Sequence, residues 1–432
     1  MRRGLRASSA LLALLLCAAP AFAETQFAAY ARLRAAAADA SKAGDNALAE
    51  RRLREAARLF PHHPGLMVLL ARAQAAQGHA VDAAATLDRL AREGVVYDIP
   101  ADKALAPLKD TPAMAAVLAR IEANSRPVGR LARSLQLAGA GRPVEGVAYD
   151  PAARRLLFAA VGGRRLLALA ADGRTAPFGG LRAEGGLYGL AADARRGLLW
   201  ATEASGPDLP GGGAPATALL RLDLATGDLR GRFPLALQGA HQLGDLTVGP
   251  DGTVYATDGL AGGVYRLRPG GSALEPLVAP GELSSPQGLA VMDAGRVLVV
   301  ADYPTGLWRV ELATGAIRRL AEPAEVTLVG LDGMARDGDE LILTQNGVAP
   351  QRVLRVRLTS GARAIASVQV LLANPALAGG APDISLGAVA VRSFVFVARS
   401  GWATADDKGA LSPEDAAAAA EIGWLDLGRQ RP

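Results

Sequence analysis

The sequence predicts a mainly β protein: a six-bladed β-propeller preceded by a small α-helical, tetratricopeptide-like segment. Two observations lead to this fold class. A phrase of two short apolar strands joined by a turn occurs six times after Arg142, and a helical pattern repeats every 34 residues before it. The 432 residues are enough for two or more domains. We expect a signal peptide over 1–23, a helical repeat segment over 24–125, a linker over 126–130 and the propeller over 131–428.

The first 23 residues have the composition of a secretory signal peptide. A basic start, MRRGLR, is followed by the apolar stretch SSALLALLLCAA and by Ala21-Phe22-Ala23. We therefore expect cleavage after Ala23 and a periplasmic or secreted protein. The apolar stretch is too short for a membrane span. Cleavage would remove Cys17, the one cysteine of the chain, so the mature protein would contain no disulfide.

The charge pattern argues against a nucleic-acid partner. The formal net charge is +5, and loss of Arg2, Arg3 and Arg6 with the signal peptide would leave about +2. The other arginines are spread along the chain. They form no basic block of the kind that binds nucleic acid or anionic surfaces.

Residues 24–125 are rich in alanine and carry apolar residues at helical spacing. Small and apolar residues recur there at an interval of 34: Ala37, Gly44, Ala49 and Leu53 return as Ala71, Gly78, Ala83 and Leu87. This interval is the tetratricopeptide period, so two helical hairpins are predicted. A third, less regular helical pair is expected from Ala101 to Asn124.

Two roles are open for this helical segment. Short arrays of such hairpins serve as docking surfaces, which would give the chain a protein partner through residues 24–125. The alternative is that the helices only pack against the propeller and enlarge that domain.

The repeated phrase after Arg142 defines the blades. Its copies are EGVAYDPAARRLLFAAV (145–161), YGLAADARRGLLWATEA (188–204), GDLTVGPDGTVYATDG (244–259), QGLAVMDAGRVLVVADY (287–303), DGMARDGDELILTQNG (332–347) and LGAVAVRSFVFVARSG (386–401). A period of about 40 to 50 residues built from short strands is typical of a β-propeller. Superposing the copies brings six residues to one position, which we call the column: Glu145, Tyr188, Gly244, Gln287, Asp332 and Leu386.

The two ends of the propeller are expected to pair in one blade. Residues 131–139 alternate apolar and polar side chains as a half-buried strand does, and 422–427 offers a matching strand. Such closure removes exposed strand edges. Between the last phrase and 422–427, a short helix is predicted to begin near Ser412-Pro413.

The column contains the candidate functional residues. Inner strands of a propeller begin at one mouth of its central channel, so column residues would face each other across the axis. Glu145, Gln287 and Asp332 are oxygen donors, and such a set suits a hard divalent cation that keeps several waters. Tyr188 and Asp245, the neighbour of Gly244, add polar groups to the mouth. The alternative is that these residues only solvate a water-filled channel.

The repeated phrases resemble those of the gluconolactonase/regucalcin/luciferin-regenerating superfamily over roughly residues 140–400. The resemblance rests on EG in the first copy, GPDGTVYATD in the third, QGLAV in the fourth and DGMARDGDELILTQNG in the fifth. It implies one divalent cation (Ca, Zn, Mg or Mn) held by Glu145, Gln287 and Asp332, with Asp332 also the catalytic base. Gln287 departs from the family pattern, which has asparagine there.

The resemblance implies a metal-dependent lactonase- or esterase-like hydrolase of small lactones, with Tyr188 and Asp245 binding substrate. The alternative is a non-catalytic propeller that binds a ligand or a partner protein, with the helical repeats as adaptor. The departure at Gln287 and the helical extension favour this alternative, whereas Glu145 and Asp332 favour the enzyme.

Other residues are assigned structural roles. His241 is expected in a surface loop without triad partners. Three carboxylates that end second strands are expected to cap turns: Glu203, Asp258 and Asp302. The four tryptophans are expected to pack in the core: Trp200, Trp308, Trp402 and Trp424. The Gly- and Pro-rich stretch 205–217 is a candidate loop at the rim of the channel, or else a disordered insert.

Overall fold

The computed structural model describes residues 24–207, 209–210, 212–406 and 409–428. The expected signal peptide over 1–23 lies outside these residues, so its cleavage and the location inferred from it stay predictions. Within the described part of the chain, no helix is both long and apolar enough to cross a membrane.

The N-terminal segment is helical, as predicted. Its α-helices are α1 (Gln26–Lys42), α2 (Asn46–Leu59), α3 (Pro64–Ala76), α4 (Ala80–Arg92) and α5 (Pro112–Asn124). The first four form two antiparallel hairpins. Gly44 and Gly78 lie in the turns of these hairpins with φ of 80° and 78°, a conformation that glycine adopts without strain. Ala37 and Ala71 are buried, where small side chains let the helices approach closely.

The expected third helical pair is wrong in its first half. Residues between Ala101 and Thr111 form turns and one 3₁₀ turn, Ala106–Leu108, before α5 begins at Pro112. Pro107 has no N–H for a helical ladder and restricts the residue before it. Pro112 occupies the first turn of α5, where proline is tolerated.

The rest of the described chain forms six four-stranded antiparallel sheets, the blades. Their strands, from the channel outwards, are as follows. Blade one has β2 (Val144–Asp150), β3 (Arg155–Ala160), β4 (Arg165–Leu169) and β5 (Thr175–Pro177). Blade two has β6 (Gly186–Asp193), β7 (Leu198–Ser205), β8 (Ala216–Asp223) and β9 (Leu229–Pro234). Blade three has β10 (Leu243–Val248), β11 (Val254–Asp258), β12 (Gly263–Leu267) and β13 (Glu275–Val278).

The remaining three blades have the same arrangement. Blade four has β14 (Pro286–Met292), β15 (Val297–Asp302), β16 (Gly306–Glu311) and β17 (Ile317–Arg319). Blade five has β18 (Leu331–Asp337), β19 (Glu340–Gln345), β20 (Arg352–Leu358) and β21 (Ile365–Ala373). Blade six has β22 (Gly387–Ala390), β23 (Ser393–Arg399), β24 (Ala420–Asp426) and, outermost, β1 (Arg133–Leu137). The six-bladed propeller is therefore confirmed.

Blade six closes the ring as the sequence predicted. β1 pairs antiparallel with β24, and Leu135 lies opposite Ile422. The predicted short helix is α6 (Pro413–Ala417), whose N-cap is Ser412. Adjacent blades bury aliphatic side chains against each other, so the core is divided among the blade interfaces; one such cluster joins Leu157 of blade one to Leu187 of blade two.

The helical segment packs directly on blades four and five. The backbone N–H of Val96 donates to the carbonyl of Ala349 at 2.6 Å. The buried Arg352 side chain donates to the carbonyl of Glu93 at 3.2 Å, and the Arg319 guanidinium lies 4.9 Å from the centre of the Phe60 ring. These contacts agree with the interpretation that the helices enlarge the propeller domain; they leave docking of a protein partner a proposal.

Candidate functional site

The column residues of blades one to five lie at a β-bulge in the inner strand. The pairing of the first two strands shifts register at the same place in each of these blades: between Val144 and Val147, Leu187 and Leu190, Leu243 and Leu246, Pro286 and Leu289, and Leu331 and Met334. The column residue and the one after it fill each bulge. A bulge changes the direction in which the side chains of a strand point. The side chains at the column positions are therefore oriented differently from those of the regular strand on either side.

The residue after each column position is glycine in five blades: Gly146, Gly189, Gly288, Gly333 and Gly387. A Cβ atom on Gly146 would lie 2.2 Å from the Tyr188 carbonyl oxygen, and one on Gly288 would lie 2.5 Å from the Met334 nitrogen. The inner strands therefore approach too closely for a side chain there. In blade three, Asp245 takes this position and lines a cavity of about 30 Å³, roughly the room for one water.

Threonines of the second strands support the bulges. The hydroxyl of Thr202 accepts the N–H of Gly189 at 2.8 Å, and that of Thr344 accepts the N–H of Gly333 at 2.7 Å. Ladder N–H groups that the bulge leaves unpaired are thus satisfied. The backbone beneath Tyr188 and Asp332 is held in place by these bonds.

Glu145 of blade one is held by two donors from blade six. The Ser385 hydroxyl donates to its Oε2 atom, and the Trp402 indole N–H donates to its Oε1 atom. Burial and the nearby Asp332 charge raise the pKa of Glu145 to about 8, against the lowering effect of these two hydrogen bonds. Without a compensating positive charge, Glu145 is therefore mostly protonated at pH 7.

Asp332 of blade five is held on one side only. The Asn346 amide donates to Asp332 Oδ2 at 2.7 Å and to the Ile384 carbonyl at 2.8 Å, and the Tyr303 hydroxyl donates to Asn346 Oδ1 at 3.1 Å. No described residue donates to Asp332 Oδ1, so this oxygen is available to a ligand. Burial raises the pKa of Asp332 to about 7, with Asn346 lowering it and Asp383 raising it.

Asp245 shares the electrostatic field of these two acids. It is 8% exposed, and no described residue donates a hydrogen bond to its carboxyl group. Burial first, then the charges of Asp332 and Glu145, raise its pKa well above the usual value. Clustered acids without a cation repel each other and retain protons. In the structure, Glu145, Asp245 and Asp332 thus lie close enough at the channel for their charges to interact.

Gln287 and Tyr188 are the other two polar residues of the column. Each has a polar atom without a hydrogen-bond partner among the described residues. The Gln287 amide nitrogen donates to the Ser285 hydroxyl at 3.0 Å, and its carbonyl oxygen accepts nothing from the described residues. Tyr188 is 5% exposed, and its buried hydroxyl has no hydrogen-bond partner within the described chain. Burial and Glu145 raise the pKa of Tyr188. Their roles in metal and substrate binding stay proposals.

One side of the site is apolar, which corrects the assignment of Trp402. Trp402 does not pack in a blade core; with Leu209 it packs on a cluster of Val161, Tyr188 and Ala204, and it also bonds Glu145. Leu209 comes from the predicted rim loop 205–217, of which residues 208 and 211 are not described. The contact between Trp402 and Glu145 could not be predicted from the sequence, because the two residues are 257 positions apart and Trp402 belongs to no repeated phrase.

The remaining polar assignments are mostly confirmed. Glu203 accepts the N–H of Gly185 at 3.0 Å, Asp258 accepts that of Gln242 at 3.0 Å, and Asp302 accepts that of Ser285 at 2.7 Å. Each of these carboxylates fixes the loop that leads into the inner strand of its own blade. His241 differs from expectation, because its side chain is only 9% exposed and bonds Asp258 at 2.6 Å.

The donor set fits a hard divalent cation. Three blades each place one oxygen donor at the channel: two carboxylates with raised pKa values and one amide oxygen without a partner among the described residues. A bound cation would supply positive charge that offsets the repulsion between the carboxylates. Within the described residues, no three His, Cys, Asp or Glu side chains form a metal-binding group; the candidate set has two acids, Glu145 and Asp332, and the Gln287 amide.

Residues 40–108 match the family model of the tetratricopeptide repeat, and no curated protein matches the chain. Among solved structures, the chain is similar to a gluconolactonase from Xanthomonas campestris (23% identity over 69% of this chain and 91% of that one, TM-score 0.46). It is also similar to regucalcin, a calcium-binding protein from Agrobacterium tumefaciens (17%, 71% and 98%, TM-score 0.46). A luciferin-regenerating enzyme is similar at 12% identity over 68% and 95%, with a TM-score of 0.46.

Proposed function

We propose that this chain is a periplasmic lactonase- or esterase-like hydrolase of small lactones that depends on one divalent cation held by Glu145, Gln287 and Asp332. One observation carries the proposal. Glu145, Asp245 and Asp332, from blades one, three and five, lie close enough for their charges to interact. Burial raises the pKa of all three, and the Asp332 charge raises those of Glu145 and Asp245 further. Such perturbed groups in a concave site are typical of functional sites.

Asp332 is the proposed general base. Asn346 fixes one of its oxygens, so Oδ1 can accept a proton from a water as that water adds to the lactone carbonyl carbon. The ring C–O bond then breaks, and the proton passes from Asp332 to the leaving ring oxygen, giving a hydroxy acid. The cation, when bound, supplies positive charge that polarises the carbonyl oxygen.

Tyr188 and Asp245 are the proposed substrate-binding residues. The Tyr188 hydroxyl, which has no partner within the described residues, can donate a hydrogen bond to a substrate oxygen. Asp245 stands where the other five blades have glycine, and it lines the small cavity of about 30 Å³. Both groups lose water on burial, so a polar substrate that pairs with them is favoured over one that leaves them unpaired.

The direct test is hydrolysis of a lactone panel by purified protein, followed by acid release, with and without chelator. We expect turnover that chelator removes and that Ca²⁺, Zn²⁺, Mg²⁺ or Mn²⁺ restores. Glu145→Ala should lose turnover by about 10²-fold or more, because it removes one cation ligand. Unchanged turnover in chelator would contradict metal dependence, and no turnover of any lactone would refute the enzyme.

Asn346→Ala should move the acid limb of kcat/KM to higher pH. Its amide lowers the Asp332 pKa by donating to the ionised carboxylate, so the variant base holds its proton to higher pH. Activity depends on ionised Asp332 and is lost as pH falls through that pKa. A pH–rate profile measures the shift; Asn374→Ala, which removes an exposed amide bonded to Ser125, should leave it unchanged.

A ligand-binding propeller without catalysis is the second candidate. Both Glu145 oxygens already accept hydrogen bonds, from Ser385 and Trp402, which favours a fixed binding surface over a mobile acid. Under this alternative, the protein binds a small ligand or a partner protein at the column, and the lactone panel shows no turnover while calorimetry detects binding.

A further inference from the structure

A second cavity lies between the helical segment and blade five. Its volume is about 480 Å³, which is in the range of small-molecule sites, and such sites often occur at domain interfaces. One wall is formed by α1 and α3, and another by residues 95–97. The propeller contributes Gly347, Val348 and Ala349. None of the column residues lines this cavity.

Among the described residues, the walls of this cavity carry cationic side chains and no acidic ones. Arg34 and Arg72 both line it. Arg72 is neutralised by Asp102, to which it donates at 2.8 Å, whereas Arg34 forms no ion pair with any described acid. The cavity therefore holds one uncompensated positive charge, which favours an anionic occupant.

The neutral side chain of His63 leaves the Tyr30 hydroxyl beside Arg34 as a hydrogen-bond donor. The N–H of Leu66 donates to His63 Nδ1 at 3.4 Å, and burial, Arg34 and Arg319 lower the pKa of His63 to about 4. The ring proton of neutral His63 therefore belongs on Nε2, which lies 3.1 Å from the Tyr30 hydroxyl oxygen. Tyr30 then accepts from His63, and its own proton is free for a ligand.

Tyr30 and Arg34 are four residues apart on α1, so they share one face of that helix. Their polar groups stand beside apolar walls, since Val68, Val95 and Val348 are buried residues that line the same cavity. The cavity can therefore hold a molecule that has a charged end and an apolar body.

We propose that this cavity binds a small amphipathic carboxylate, with its carboxylate at Arg34 and Tyr30 and its apolar body against Val68, Val95 and Val348. This site shares no lining residue with the column. The proposal does not depend on the proposed lactonase activity. The two sites share one stretch of chain, because Gly347 follows Asn346, which holds Asp332.

The test is calorimetric titration of the full chain with 2-naphthoate at pH 7. We expect one site, weakened about tenfold or more by Arg34→Gln, which removes the charged donor, and weakened less by Tyr30→Phe, which keeps the ring. The matched control Arg51→Gln removes an exposed arginine from α2 and should bind as the wild type does. Neutral 2-naphthalenemethanol should bind at least tenfold more weakly.

Three results would overturn the proposal. One is no heat of binding for the wild type at millimolar 2-naphthoate. Another is equal affinity in Arg34→Gln, with an unfolding midpoint that shows the variant is folded. The third is loss of binding in Asp332→Asn, which would place 2-naphthoate at the column; the proposed site requires that this variant bind normally.

Discussion

Replacing Asp332 with asparagine is expected to abolish hydrolysis and, at the same time, to stabilise the cation-free fold. Loss of a general base typically costs about 10²- to 10⁴-fold in rate. Asn346 would still contact the new side chain, so the geometry of the bulge is kept. Turnover of the best lactone in the panel measures the first effect, and urea unfolding in chelator measures the second.

The stabilisation follows from the sign of the pKa shift. The pKa of Asp332 rises from 3.8 to about 7 on folding, so its contribution to stability is complete below pH 3.8 and is lost as pH rises through 7. Each pKa unit is worth about 1.4 kcal/mol. At pH 8 we expect Asp332→Asn to raise the free energy of unfolding by about 2 to 4 kcal/mol, and near pH 4 by almost nothing.

The control for this prediction is Asp339→Asn, because Asp339 is a fully exposed acid in the same hairpin. It should change neither turnover nor stability. If Asp332→Asn kept more than about a tenth of the wild-type rate, Asp332 would not be the base. If it were less stable than the wild type at pH 8 in chelator, the buried Asp332 carboxylate would not destabilise the fold as inferred.

The second large effect is expected from Gly288→Ala. A Cβ atom there would lie 2.5 Å from the Met334 nitrogen and 2.6 Å from the Asp332 carbonyl oxygen, both backbone atoms of the next blade. Because both are backbone atoms, the two inner strands would have to move apart, and we expect a loss of about 3 kcal/mol or more in the free energy of unfolding. Urea unfolding at pH 5 measures this loss.

Gly244→Ala is the matched control for Gly288→Ala. It lies in the bulge of blade three, its φ is not positive, and the nearest atom to an added Cβ is the Thr257 hydroxyl oxygen at 3.9 Å. This variant should lose less than about 1 kcal/mol. Similar losses in both variants would mean that close approach of the inner strands does not explain the ring of glycines.

The repeats allowed the architecture and the column to be predicted from the sequence. A strand phrase that returns with turn residues at fixed places defines each blade locally, and superposition then identifies equivalent positions such as Glu145 and Asp332. Closure by β1 and β24 was also predictable, because unpaired edges are avoided. The failed helical pair before α5 shows the limit of this reasoning, since the segment around Pro107 forms only a short 3₁₀ turn.

The two groups that hold Glu145 could not be predicted in this way. Trp402 and Ser385 reach Glu145 from blade six across the junction of the ring, 257 and 240 positions away. Asn346 does lie at a repeated position, immediately after the second strand, where blade four has Tyr303. Superposing that second position would have identified both residues. The glycines that follow the column were a further visible signal, with Asp245 the exception.

The structure also changes the view of the helical segment. Its contacts with blades four and five include the buried Arg352 and a backbone bond between Val96 and Ala349, so the segment is packed against the propeller at the described positions. A protein partner through residues 24–125 stays a proposal.

The central claim is that Glu145, Gln287 and Asp332 hold one divalent cation, and calorimetric titration of chelator-treated protein with Ca²⁺, Zn²⁺, Mg²⁺ and Mn²⁺ tests it most directly. At pH 7, in buffers of different ionisation enthalpy, we expect one cation per chain for at least one metal. Binding should release protons, because the raised pKa values leave these acids partly protonated. The Glu145→Gln, Asp332→Asn double variant should lose this binding. Binding that persists in the double variant, or none in the wild type, would contradict the account.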